Sequence, residues 1–453
     1  MKDILKRKLY EKMLYWKNHH APNYALFIKG ARRVGKTTLA TFFGKQEYKS
    51  YILLDLRTAS KITKDFIENN IRDLNLFFNH LQQEYETKLY KRESLIILDE
   101  IQLFPKAREA LKTLIEDGRY DYIETGSLAG IVKSTQENKI LIPSEEHSLE
   151  LHPLDFEEFL WAMGDNVSLD ILKDFYNKKK ALNGIHKNML IKFRKYMCVG
   201  GMPQAVVEYA KSEDFNTVNF IKNKILDLYR EDVRSQKQEN SVYIENVLDN
   251  IPAQLSRHGV QDAKIFRLNQ INSKARMREY AGPLNWLNDA MIINIARSCS
   301  DPNVALALTY SLDYFKCYME DTGLLINLSF NNASYIDNKL YGALLFDRLH
   351  INEGMFIENI VAQQLTAKGY KPTFYVSYDE NSKIINEVDF LIQKDNKICP
   401  IEVRSGKSKS FKSLDKFKKK FTNRVRQQII LHEGDLKIED EKLFLPYYMA
   451  CLL

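Results

Sequence analysis

Gly30-Ala31-Arg32-Arg33-Val34-Gly35-Lys36-Thr37 fits the pattern G-x-x-x-x-G-K-[ST], a loop whose backbone N–H groups cradle phosphates. Before it, Tyr24-Ala25-Leu26-Phe27-Ile28 reads as a short buried strand; after it, Thr38-Leu39-Ala40-Thr41-Phe42-Phe43 reads as a helix. Glycines let a backbone turn and approach an anion closely, and a helix N-terminus offers unpaired donors and a positive dipole end. In such a loop the lysine reaches the β/γ-phosphates of a nucleotide and the hydroxyl ligates Mg²⁺. The candidate phosphate-binding set is therefore Gly30, Arg33, Val34, Gly35, Lys36, Thr37 and Thr38, with Thr37 also a candidate Mg²⁺ ligand. A chance Gly-Lys turn ahead of a helix is the plain alternative, and the strand–loop–helix context weighs against it.

A second signature lies downstream. Ser94-Leu95-Ile96-Ile97-Leu98-Asp99-Glu100 is an apolar strand ending in two carboxylates. Asp99 is the candidate partner of Mg²⁺, and Glu100 the candidate base for the water that attacks a γ-phosphate. Alone, an acidic strand end before a turn would mean little; paired with the loop upstream it reads as chemistry. Asp121-Tyr122-Ile123-Glu124-Thr125-Gly126-Ser127 is the next strand with a polar tip. In nucleotide hydrolases with an extra strand between the two signatures, a polar residue at this tip touches the γ-phosphate or the water. Thr125 and Ser127 are the candidates, and an ordinary strand-to-loop turn is an equal reading.

The 453-residue chain is too long for a single core. Its 45% hydrophobic and 28% charged content are those of a globular protein. Five scattered cysteines, with no C-x-x-C pair, argue against structural zinc or a disulfide framework and fit a reducing cytoplasm. The charged N-terminus has no apolar core of a signal peptide, and no run is long enough for a membrane span. The net charge of +7 is concentrated: residues 406–427 hold nine Lys/Arg against Asp415, a local +8 that leaves −1 for everything else.

Elsewhere, residues 3–17 and 105–117 show helical spacing, 64–90 read as helical, Ser50–Asp55 as a strand, and Ser148–Pro153 as a fifth strand. Residues 165–240 read as a helical lid interrupted at Gly200-Gly201-Met202-Pro203. That break is either a plain helix–helix turn or a segment that leans on the nucleotide. Residues 242–325 read as a winged helix, with wing strands at Ile292–Ala296 and Leu306–Tyr310. Between its helices, Arg257, Lys264, Arg267, Lys274, Arg276 and Arg278 form either a basic recognition helix or a solvated face.

The chain resembles the bacterial and archaeal AAA-type ATPases that carry a C-terminal domain of unknown function. The resemblance rests on Gly30–Thr38, Asp99-Glu100-Ile101-Gln102, Thr125–Ser127, Pro153–Phe159 and Tyr196–Pro203, and continues through Ile251–Leu255, Phe315–Leu325 and Glu387–Phe390. It implies ATP rather than GTP, and the guanine-reading N-K-x-D pattern is absent. The C-terminal part resembles the restriction-endonuclease-like PD-(D/E)xK nucleases: Glu358 on a helix, then Asp389 and Glu402 on adjacent strands. There two carboxylates hold Mg²⁺, which lowers the pKa of a bound water. Arg404 stands where that family has lysine, and a planar permanent cation is a poor substitute for a compact ammonium. Lys407 is three residues on. Nuclease activity is not expected.

The expected architecture is α/β: a P-loop NTPase α/β/α sandwich of AAA+ type (1–160), a helical lid (161–240), a winged-helix domain (241–330) and a small α/β PD-(D/E)xK nuclease-like domain (331–453). The expected activity is Mg²⁺-dependent ATP hydrolysis driving a conformational switch in the cytoplasm. The rivals are an ATP-regulated DNA-processing nuclease and a binding module that holds ATP without hydrolysing it. DNA or another polyanion is the candidate partner of the winged helix and of the Lys-rich stretch 406–427, alongside an unidentified protein partner and no membrane. That stretch places Phe411, Leu414, Phe417 and Phe421 at helical spacing under an exposed lysine face. A transition-state arginine is expected among Arg119, Arg194, Arg230 and Arg234.

Overall fold

The computed structural model describes residues 4–69, 73–126, 143–256, 265–330, 338–345, 353–381, 384–404 and 411–453. Ser127, Arg257, Lys264 and Lys407 lie outside them. The chain divides into two compact units, Met1–His152 with Asp289–Met291, and Pro153–Asn288 with Ile292–Leu453.

In the first unit β1 (Ala25–Lys29), β2 (Ser50–Asp55), β3 (Ser94–Asp99), β4 (Asp121–Gly126) and β5 (Glu146–Glu150) form one sheet in the order β2-β3-β4-β1-β5. Every neighbouring pair is parallel. A parallel sheet is covered on both faces, so its inner strands are continuous apolar runs, and β3 is buried at all six positions. One face sends Phe27, Leu54, Leu98 and Tyr122 into a cluster with Ile67, Phe77, Leu81 and Leu111. Those four come from α3 (Lys61–Asn69), α4 (Leu74–Glu84) and α5 (Lys106–Asp117). Helix α2 (Lys36–Glu47) buries Leu39, Ala40 and Phe43 outside that cluster, against β2, β3 and β4, completing an α/β/α sandwich.

Two expectations need adjustment here. The 64–90 segment is two helices, because the Asp73 carboxylate accepts from Leu76 N (3.0 Å) and starts a new helix at Leu74. The fifth strand sits at Glu146–Glu150, in register with β1 through Ala25↔Glu146.

The second unit begins with helices. Phe156–Ala162 is opened by a reciprocal cap between Asp155 and Glu158. That helix falls in the second compact unit, which begins at Pro153. Gly184–Val199 ends at Gly200, whose φ of +82° is the left-handed conformation glycine favours. Gly201 N–H donates to Asp321 Oδ2 (2.5 Å), and a Cβ on Gly201 would lie 2.2 Å from Leu154 O. Asp321 also caps the helix Thr322–Ser329 through Leu324 N (2.8 Å). Within its own unit, the Gly-Gly break is therefore a junction with no room for a side chain.

Two sheets follow. β6 (Ile293–Cys299), β7 (Tyr310–Met319), β8 (Thr373–Tyr378) and β9 (Ile384–Val388) are ordered β7-β6-β8-β9. β10 (Phe390–Lys394), β11 (Lys397–Arg404), β12 (Gln428–His432), β13 (Lys437–Glu439) and β14 (Lys442–Pro446) are ordered β10-β11-β12-β14-β13.

One sheet runs through part of the segment expected as a winged helix at 241–330. β6, which holds most of the first expected wing strand, pairs with β7 and in parallel with β8, so one sheet crosses the expected boundary at 330/331. Leu306–Thr309 is a 3-10 turn ahead of the ten-residue β7. Of the described basic residues in that segment, Arg267, Lys274 and Arg276 lie outside α-helix and Arg278 lies in the helix Met277–Asp289.

Candidate functional site

All five strands of the first sheet run the same way, so the loop after β1 and the tips of β2, β3 and β4 share one edge, where ligands of open α/β sheets bind. The loop turns through Arg33 (φ +71°) and Gly35 (φ +98°), and α2 starts at Lys36. A Cβ on Gly30 would lie 2.6 Å from Leu151 O, so the entry to the loop tolerates only glycine. The Val34 side chain is fully buried and its N–H donates to Ala31 O (3.3 Å), which makes it the anchor of the loop. Arg7 holds the same segment by donating to Val34 O (3.2 Å). Lys36 Nζ donates to Gly30 O (2.9 Å) and Ala31 O (3.0 Å), folding back over the loop it belongs to. Thr38 is exposed on the first turn of α2.

The two signatures meet. Thr37 Oγ1 donates to Asp99 Oδ1 at 2.8 Å, and Thr125 Oγ1 donates to the same oxygen. Asp99 is 3% exposed. Burial raises its carboxyl above the ordinary value, and the hydroxyls of Thr125 and Thr37 partly offset that. Glu100 sits in the left-handed region (φ +57°, ψ +47°) at the turn out of β3, and Gln102 Nε2 donates to its Oε2 (2.5 Å). A non-glycine residue in that region is uncommon and marks a position held by its surroundings.

Asp55 and Arg57 were not anticipated. Asp55 lies opposite Asp99 in the β2–β3 register. Arg57 donates to Asp55 from its backbone (2.9 Å) and from Nη2 (3.2 Å), and Asp55, then Glu100 and Asp99, hold its guanidinium protonated. The available signal was topological: the residue after each parallel strand's last position lies on the ligand edge.

Of the four expected arginines, Arg119 is misplaced. It precedes β4, at the opposite end of a six-residue strand roughly 15–20 Å long. There it pairs with Asp117 (2.7 Å) and Asn75 (2.8 Å). Arg194, Arg230 and Arg234 belong to the second unit, paired with Glu433 (2.8 Å), Asp249 (2.8 Å) and Glu245 (3.3 Å).

In the second unit Glu358, Asp389 and Glu402 converge, together with two residues that sequence reasoning missed. Lys316 on β7 is wholly buried, with Nζ 2.8 Å from Glu387, 3.2 Å from Glu358 and 3.8 Å from Asp389. Tyr318, two residues along the same face, donates to Glu358 Oε1 (2.5 Å). Arg404 pairs with Glu402 (3.0 Å), Ser413 Oγ donates to Glu402 (3.2 Å), and Val403 N–H donates to Asp389 (2.8 Å). Burial would depress the Lys316 ammonium, but Glu358, Glu387 and Asp389 hold it well above the ordinary lysine value. A lone lysine inside Phe315-Lys316-Cys317-Tyr318-Met319 was the signal.

The Lys-rich helix is real, at Lys412–Lys420, and buries Leu414 and Phe417. Within it Lys418 pairs with Glu441 (2.8 Å), and past its end Arg424 pairs with Asp301 and Arg426 with Asp395.

Residues 22–160 match the AAA domain family. Residues 190–335 and 353–451 match two families described only as domains of unknown function, DUF8612 and DUF4143. No curated protein matches the chain. Similar solved structures include the Walker-type ATPase of Pyrococcus abyssi, 16% identical over 72% of this chain and 96% of that one, TM-score 0.43. The RuvB Holliday junction branch migration motor of Thermotoga maritima is 15% identical over 66% of this chain and 90% of that one, TM-score 0.29. Among the described residues, no helix is long and apolar enough to cross a membrane.

Proposed function

We propose that the AAA-type P-loop domain binds ATP with Mg²⁺ and hydrolyses it, using the cycle as a conformational switch. The observation that carries this reading is the 2.8 Å bond between Thr37 and Asp99, residues 62 positions apart in sequence. It joins the phosphate loop to the acidic strand tip with Thr125 on the same oxygen.

The residues fit a bound Mg²⁺–nucleotide. Asp99 has a neutral hydrogen-bonded neighbourhood on its Oδ1, so its charge is available to a cation shared with Thr37. Mg²⁺, when bound, neutralises charge on the β- and γ-phosphates. Lys36, now resting on Gly30 O and Ala31 O, is placed to swing onto phosphate oxygens, and the N–H groups at the start of α2 point the same way. Glu100 has Oε2 fixed by Gln102, leaving Oε1 to take a proton from an attacking water. Arg57 is the candidate cation at the strand edge, ahead of Arg119. The preference for ATP over GTP rests on the family match.

Phosphate release measured with ATP and with GTP, beside a binding measurement with a fluorescent ATP analogue, tests the reading. Hydrolysis of ATP that Glu100→Gln abolishes while binding survives is the expected result. Binding without release in the unmodified protein leaves the non-hydrolysing module as the answer. No binding overturns the reading.

A further inference from the structure

The likeness of Glu358, Asp389 and Glu402 to a metal-dependent nuclease core implies a divalent cation there. The residues present do not fit one. Among the described residues, no group of three or more His, Cys, Asp or Glu side chains is arranged to hold a metal ion. Each carboxylate is already engaged: Glu358 and Glu387 with Lys316, Glu402 with Arg404 and Ser413, and Asp389 with Val403 N–H and, more distantly, Lys316.

We propose that this acidic cluster is a cation site whose resident cation is the chain's own Lys316 ammonium, which stands where a divalent metal would stand and excludes it. An ammonium is a compact charge with three donors, and three carboxylates lie 2.8, 3.2 and 3.8 Å from it. Those contacts are charge-assisted hydrogen bonds and ion-pair distances, longer than the 2.0–2.1 Å that Mg²⁺ requires. The lysine is held in place on other sides too: it is 0% exposed, and the Phe374 ring lies 5.0 Å from Nζ. A metal entering the cluster would displace an ammonium into an apolar interior, leaving one charge unpaired. The site instead ties β7 to the helix Glu353–Ala367, to β9 through Glu387 and to Asp389 just past it.

Terbium luminescence tests the proposal in the full chain without nucleotide, because Tyr318 bonded to Glu358 is a sensitiser at the site. In the unmodified protein, Tb³⁺ titration is expected to be the same as in Asp389→Asn. Lys316→Met is expected to gain a site at least tenfold tighter, lost again in Lys316→Met/Asp389→Asn. An emission signal in the unmodified protein that Asp389→Asn removes overturns the proposal, since the lysine would then accompany a metal. A soluble Lys316→Met or Lys316→Gln variant that gains no Tb³⁺ site also overturns it. If neither variant folds, the comparison of unmodified protein with Asp389→Asn still separates a resident lysine from a bound metal.

Discussion

Both units set a lysine and a strand-end aspartate at their charged sites, and they use the two residues in opposite ways. In the first, Lys36 rests on two backbone carbonyls while Asp99 takes hydrogen bonds from two hydroxyls. In the second, Lys316 stands among Glu358, Glu387 and Asp389. Hydroxyl partners leave the charge of Asp99 available for a ligand, whereas the internal ion pairs of Lys316 cancel the charge of its carboxylates. Shared residue types therefore do not imply shared chemistry, and the identity of each charged group's neighbours separates a site from a lock.

The strongest way to break this comparison is at the first site. Glu100→Gln is expected to lower ATP turnover by ~10²–10⁴ while leaving nucleotide affinity within a few-fold, because it removes a proton acceptor and no phosphate contact. Lys36→Ala should lose both, with turnover down ~10²–10³. Steady-state phosphate release and analogue binding check the pair. Unchanged turnover in Glu100→Gln would return that residue to an ordinary strand end.

The two lysines can be set against each other directly. Lys316→Met removes one partner of a buried ion cluster and is expected to destabilise the second unit by about 3–5 kcal/mol. Lys36→Met removes a half-buried ammonium that bonds backbone carbonyls, at an expected cost of about 1.5–3 kcal/mol. Urea unfolding of both variants measures the difference. Equal effects would remove the distinction drawn above.

That difference also explains what the amino-acid sequence disclosed. Gly30 to Thr38 is contiguous, so its spacing alone specifies a loop, and β3 ends in its two acids wherever it lies in the sheet. Asp55 and Arg57 join the site only because β2 is the parallel neighbour of β3, which pairing and not periodicity determines. Lys316 lies 42 residues from Glu358 in sequence, and the packing of the helix Glu353–Ala367 on β7 brings them together. The sheet order of β6, β7 and β8 was hidden for the same reason: short apolar strands look alike until their partners are known.

A smaller effect is expected at Asp321, where burial raises the carboxyl to about 6 from an ordinary 3.8, against the N–H bonds of Gly201 and Leu324 and the charge of Lys222, with Glu320 adding to the rise. The folded chain binds more protons than the unfolded one between those values, so this group's contribution to stability is full below 3.8 and falls as pH rises through about 6. Asp321→Asn cannot titrate. The stability difference between the two proteins should therefore shift by roughly 1–3 kcal/mol in favour of the variant from pH 4 to pH 7. Urea midpoints at the two pH values check it, and a pH-independent difference would mean that the carboxylate stays ionised in the fold.

The smallest effect is expected on the Lys-rich helix, where the comparison is between counted and available charge. Lys418 and Arg424 have carboxylate partners from outside the stretch, whereas Lys412 and Lys419 have none among the described residues. Each neutralised phosphate contact contributes about 0.9 to the slope of log K against log salt for duplex DNA. If a polyanion binds here, Lys412→Gln/Lys419→Gln should lower that slope by up to ~2, and Lys418→Gln by less than ~1 because Glu441 already opposes it. Fluorescence anisotropy with a short duplex over a salt series reads both. Equal slopes in all three proteins would place the basic stretch with the solvated faces.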